Sequence, residues 1–76
     1  MFIVIETNFS TNQPWIFKLA DSSGSFCYTM DTNFYERNGL KSPITKHELD
    51  FLEVGCRIRG ETTEIAKTKV LVKVYC

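Results

Sequence analysis

Residues 47–51 read His47-Glu48-Leu49-Asp50-Phe51, the opening of an H-E-x-x-H zinc helix with phenylalanine where the second histidine belongs. One imidazole cannot hold a zinc alone, so His47 reads as a surface residue in the first turn of a helix. Cys27, Cys56 and Cys76 are widely spaced and include no C-x-x-C pair. That pattern builds neither a zinc site nor a disulfide framework, and it reads as three reduced thiols in a cytoplasmic protein. No serine or cysteine is paired by motif with the single histidine. The four glycines all stand apart, so no phosphate-cradling loop is encoded. The reading is a non-enzymatic protein with no catalytic residue, metal or cofactor.

What remains is positive charge and aromatic rings. Lys18, Arg57, Arg59, Lys67, Lys69 and Lys73 fall on outward positions of alternating segments, and Phe34 and Tyr35 lie in a polar stretch beside Arg37 and Lys41. Cations grip backbone phosphates and rings stack on bases, which is the chemistry of single-stranded nucleic-acid binding. Nine basic and nine acidic residues leave no net charge. A neutral chain can hold phosphates only if its charges are segregated. Glu36, Glu48, Asp50 and Glu53 do cluster elsewhere, in the segment after the third strand.

These residues need a scaffold. The 76 residues suffice for one domain, 1–76. The apolar residues 1–5 are followed by Glu6, too short a run for a membrane span or a secretory leader. Cys76 lacks the spacing of a prenylation signal. Asn8-Phe9-Ser10 matches a glycosylation sequon and reads as chance.

Residues 2–7 form a first strand, and 8–14 a loop. Residues 15–20 alternate, with Trp15, Phe17 and Leu19 on one face and Ile16, Lys18 and Ala20 on the other. Asp21-Ser22-Ser23-Gly24 is a tight turn in which Gly24 takes positive φ. Residues 25–31 alternate again, placing Phe26, Tyr28 and Met30 inside against Ser25, Cys27 and Thr29 outside.

Residues 32–43 are the longest irregular segment, with a turn at Asn38-Gly39. Thr45 and Glu48 have capping-box spacing, and Ile44 and Leu49 that of a hydrophobic staple. They predict a helix over 46–54, stopped by Gly55. Residues 56–59 form a fourth strand, Gly60 a bend or bulge, 61–66 a polar hairpin loop, and 67–76 a last strand. That strand turns Val70, Val72 and Val74 inward, and Lys69, Leu71, Lys73 and Tyr75 outward. The predicted core adds Val4, Leu49, Leu52 and Ile58. The order β-β-β-α-β-β predicts an all-β fold, a five-stranded barrel with one short helix, because closure removes sheet edges.

Two stretches, WIFKLADSSGSFCYTMD (15–31) and LDFLEVGCRIRGETTE (49–64), resemble the paired halves of OB domains, the oligonucleotide/oligosaccharide-binding fold. They carry an alternating strand, a turn with Asp and Gly, a second strand, then a helix end and a strand bracketed by glycines. The short first strand departs from the pattern. The resemblance implies a binding face across strands 2 and 3, between the 1–2 and 4–5 loops. It places Ile16, Lys18, Ala20, Ser25, Cys27 and Thr29 on that face, Phe9, Asn12, Gln13 and Trp15 in the first loop, and 61–67 in the second. Single-stranded DNA or RNA would meet Lys18, Arg37, Arg57, Arg59, Lys69 and Lys73 through phosphates. Phe9, Trp15, Phe34 and Tyr35 would stack on bases.

A second reading is a compact protein-interaction module of the inhibitor or adaptor kind that phages and mobile elements encode. Its partner would be another protein, or a second copy in a homodimer, met through outward Leu71 and Tyr75 on the last strand. An SH3-like barrel is the alternative fold. Every inward face above follows from alternation alone, and a one-residue slip in register inverts it.

Overall fold

A computed structural model describes residues 1–8, 15–49 and 51–75, without the side chains of Lys46 and Leu49. The predicted placements of Phe9, Asn12, Gln13 and the Leu49 side chain therefore lie outside the described residues. Among the described residues five strands form: β1 (Phe2–Thr7), β2 (Trp15–Ala20), β3 (Phe26–Met30), β4 (Arg57–Ile65) and β5 (Thr68–Tyr75). Two short helices, α1 (Thr32–Arg37) and α2 (Lys46–Leu49), lie between β3 and β4. The sheet closes into a ring in the order β1-β2-β3-β5-β4. All its pairings are antiparallel except β3 with β5, which are parallel and meet at Tyr28 and Val70.

The chain between β2 and β3 sets which residues face inward. The Asp21 carboxylate accepts from the Ser23 hydroxyl at 2.6 Å, the Ser23 N–H at 2.9 Å and the Ser25 N–H at 3.0 Å. Ser25 is thus drawn into the turn, and Gly24 sits at φ 84°. The connection takes five residues, one more than the tight turn predicted. Its length pairs Ala20 with Phe26, Leu19 with Cys27, Lys18 with Tyr28 and Phe17 with Thr29. Residues directly opposite share a face, so Cys27 and Thr29 follow Leu19 and Phe17 into the core. Cys27 and Thr29 are buried, while Phe26 is 49% exposed. The predicted faces of Phe26, Cys27 and Thr29 are therefore reversed, whereas Met30 is buried as predicted.

Irregularities in three strand pairings displace other residues. Register shifts at Trp15/Phe17, and Ile16 is the extra residue there. An extra residue interrupts alternation, so Ile16 packs against the main core and Trp15 leaves the face of Phe17. Register also shifts between Val4 and Glu6, which makes Ile5 the extra residue of β1. In β5 the extra residue is Val72, because Thr62 pairs with Leu71 and Glu61 with Lys73. Leu71 is consequently fully buried rather than outward, and Val72 and Val74 are only half-buried. Gly60 precedes this bulge, and a Cβ there would run into the Lys73 carbonyl.

The core has two parts. The main one joins Val4, Phe17, Leu19, Cys27, Ile44, Ile58 and Leu71. A smaller one joins Met30, Tyr35 and Val70, with Trp15, Tyr28 and Phe34 packed against it. Helix α1 builds this second cluster, where an irregular segment was predicted. Asp31 caps it, its carboxylate accepting from the Phe34 N–H at 2.8 Å. It ends where the Gly39 N–H bonds the Glu36 carbonyl, with Gly39 at φ 70°. In α2 the Thr45 hydroxyl accepts from the Glu48 N–H at 3.2 Å and donates to the Glu48 carboxylate at 3.0 Å. The cap forms as its spacing predicts, but the helix runs for four residues rather than to 54.

The β4–β5 hairpin also differs from expectation. Residues 61–65 are strand, and the connection is Ala66-Lys67 alone, with φ 50° and 64°. Both positive values fit the two-residue turn whose twist matches its flanking strands.

Candidate functional site

The reversed faces place rings on the outer side of β2 and β3. Ile3, Ala20 and Phe26 form a row across three strands, and Arg57 extends it on β4 opposite Ile3. Ile3 is 42% exposed and Phe26 49%. The next row holds Glu6, Lys18 and Tyr28. The Lys18 ammonium sits 4.4 Å from the Phe26 ring centroid. Trp15 stands beside Tyr28, centroids 5.7 Å apart and planes inclined by 41°. Asn8 secures the start of β2, its side-chain amide donating to the Trp15 carbonyl at 3.0 Å.

This surface brings together Trp15, Lys18 and Arg57 among the residues read from sequence. Phe26 was missed, because alternation counted from Ser25 assigned it to the core; Tyr28, assigned there too, is half-buried against the Met30–Tyr35–Val70 cluster. The arithmetic of the turn held the signal: five connecting residues align Phe26 with Ala20. Ile16, Cys27 and Thr29 leave the predicted face for the interior or its margin. Burial pushes the Cys27 thiol up to about 11, so it stays protonated at neutral pH.

The other predicted residues scatter. Tyr35 is fully buried, its hydroxyl donating to the Leu71 carbonyl at 2.5 Å and accepting from the Met30 N–H at 3.4 Å. It cannot stack on a base. Phe34 is half-buried, edge-on to Tyr35 with centroids 5.7 Å apart. Arg37 closes α1 and is exposed. Lys69 pairs with Asp21 at 3.5 Å. The Ser23 hydroxyl foremost, then the Ser25 and Ser23 amides and the Lys69 charge, hold that carboxyl down to about 2.

Lys73 lies 3.9 Å from Glu61 and 5.3 Å from the Tyr75 ring centroid. Tyr75 hydrogen-bonds Glu61, which raises its ionisation above the usual tyrosine range. Carboxylates thus engage Lys69 and Lys73 already. Lys18, Arg57 and Arg59 make no ion pair with a described residue. Arg59 pairs with Tyr75 on the β4–β5 hairpin, one turn of alternation beyond Arg57. The proposed contact through Leu71 is excluded by its burial, whereas Tyr75 is 46% exposed.

Chemically, the outer face of β2 and β3 offers a half-exposed ring for stacking, Phe26, with the Lys18 cation beside it. No family model, curated protein or solved structure matches the chain. Among the described residues, no helix is long and apolar enough to cross a membrane.

Proposed function

We propose that this chain is an OB-like domain that binds single-stranded DNA or RNA across the outer face of β2 and β3. The observation carrying the reading is exposed Phe26 under the Lys18 ammonium, with the half-buried Trp15–Tyr28 pair alongside on the same strands. A ring of five strands in which β3 lies beside β5, with helices between β3 and β4, suits the Greek-key barrel of that fold. That fold uses strands 2 and 3 for oligonucleotides.

An exposed cation–π contact is worth about 0.5–1 kcal/mol. Stacking on an aromatic side chain is worth about 1–3 kcal/mol per base. A base therefore displaces Lys18 from Phe26 favourably, and the freed ammonium reaches a phosphate. Arg57, in the same row as Phe26, takes a second. With so few cations, affinity falls only moderately as salt rises. Stacking accepts the face of any base, so binding that rests on it tolerates sequence.

Titration of Trp15 fluorescence with a mixed single strand of about 20 nucleotides, roughly two sites of this fold, tests the reading at low and high salt. Quenching that weakens as salt rises supports it. Unchanged fluorescence together with no mobility shift at low salt overturns it.

A further inference from the structure

An apolar groove opens on another side of the molecule, between α2, the chain that follows it, and β4 and β5. It has a volume of about 250 Å³ and is lined, among the described residues, by Ile44, Phe51, Leu52, Ile58 and Val74 with the charged Glu48. Phe51 is 69% exposed, and nearby Val54 62%. The opening exceeds the ~150 Å³ that accommodates a benzene ring, so a large aliphatic or aromatic anchor fits. Two large exposed apolar side chains beside an apolar groove mark a contact surface.

Charge decides the occupant. Residues 46–55, which include α2, carry Glu48, Asp50 and Glu53 against one lysine, Lys46, and no arginine. Glu48 lines the groove and Glu53 is exposed. Arg57, the next basic residue, lies on the opposite side of β4 from inward Ile58. A nucleic-acid strand would set phosphates against these carboxylates. A twofold dimer through the groove would set each acidic patch against its own copy. A basic segment meets neither penalty.

We propose that this groove docks a basic amphipathic helix of another protein, an apolar side chain filling the cleft and flanking lysines or arginines facing Glu48 and Glu53. Helix-in-groove docking uses this combination of apolar anchors and complementary rim charge. The surface is separate from the Phe26 face, so a partner and a nucleic acid can be held together.

The test uses the full chain labelled with ¹⁵N and a synthetic leucine/lysine amphipathic peptide, with a leucine/glutamate peptide of the same pattern as control. The lysine peptide is expected to shift the amides of Phe51, Leu52, Val54, Ile58 and Val74, and the control to leave them unmoved. Phe51→Ala and Glu53→Lys, both at exposed positions, are each expected to weaken binding by about tenfold or more. Several outcomes overturn the proposal: no shifts at millimolar peptide, equal response to both peptides, or shifts confined to the Lys18–Phe26 face. Concentration-dependent shifts at the groove without peptide overturn it in favour of self-association. An oligonucleotide titration reads the other face, so each result stands apart from the other.

Discussion

The Lys18 ammonium rests 4.4 Å from the Phe26 ring centroid, on the outer surface of the sheet. The contact exists because five residues connect β2 to β3 and align Ala20 with Phe26. One residue fewer would turn Phe26 inward and Cys27 outward, leaving the outer face of β3 without rings. A short Asp-Ser-Ser-Gly-Ser connection thereby decides which side chains the outer surface presents.

Thr29 tests this register from the inside. Its hydroxyl is buried with no hydrogen-bond partner among the described residues. An unpartnered buried hydroxyl costs about 1–3 kcal/mol of desolvation. Thr29→Val keeps the shape and removes that cost, so urea denaturation should show stability unchanged or raised by about 1 kcal/mol. A loss of that size would place Thr29 on the surface or against an unseen partner.

Tyr35 should matter more than its exposure to any ligand would suggest. Its hydroxyl links Leu71 of β5 to Met30 of β3, where those strands share one paired position. Tyr35→Phe should cost about 1–3 kcal/mol, since it leaves a buried carbonyl and N–H unpaired. Burial pushes the hydroxyl up to about 12 from the ordinary 10.0. The unfolded chain therefore releases this proton first. The stability due to Tyr35 is whole below pH 10 and is lost as pH rises towards 12. Absorbance titration at the tyrosinate band should show an ionisation near pH 12 that Tyr35→Phe removes, while the raised ionisation of Tyr75 remains.

The β4–β5 turn carries backbone strain that can be relieved. Ala66 and Lys67 both hold positive φ. Non-glycine residues pay about 1–3 kcal/mol in such regions. The double change Ala66→Asn, Lys67→Gly supplies the residues this turn prefers. It should raise the denaturation midpoint by an amount worth about 1 kcal/mol or more. A lower midpoint would mean that the turn adopts another form.

Richness in β-branched residues made β1 legible in the sequence and local alternation β2 and the start of β5, and the capping box marked the start of α2. Helix α1 escaped because six residues are too few to show a 3.6-residue period. Its cap Asp31 and its stop Asn38-Gly39 were visible, but each also suits a simple turn. Trp15 and Leu71 were assigned to the wrong faces for one shared reason. A bulge adds a residue, and alternation cannot be counted across it. Phe26 was missed through the length of one turn. The basic residues were correctly read as outward, but Lys69 pairs with Asp21 of the sequence-distant β2–β3 turn and Lys73 with Glu61 across the β4–β5 hairpin.

Phe26 offers the most direct test of the proposed nucleic-acid face. The ring is half exposed, so Phe26→Ala should leave the thermal melt almost unchanged. Anisotropy of a labelled single strand of about 12 nucleotides, read against both proteins at low salt, should show binding weakened about 5- to 150-fold in the variant, the loss of one stacked base. Equal affinities, or no binding by the unaltered chain, would contradict a binding surface on β2 and β3.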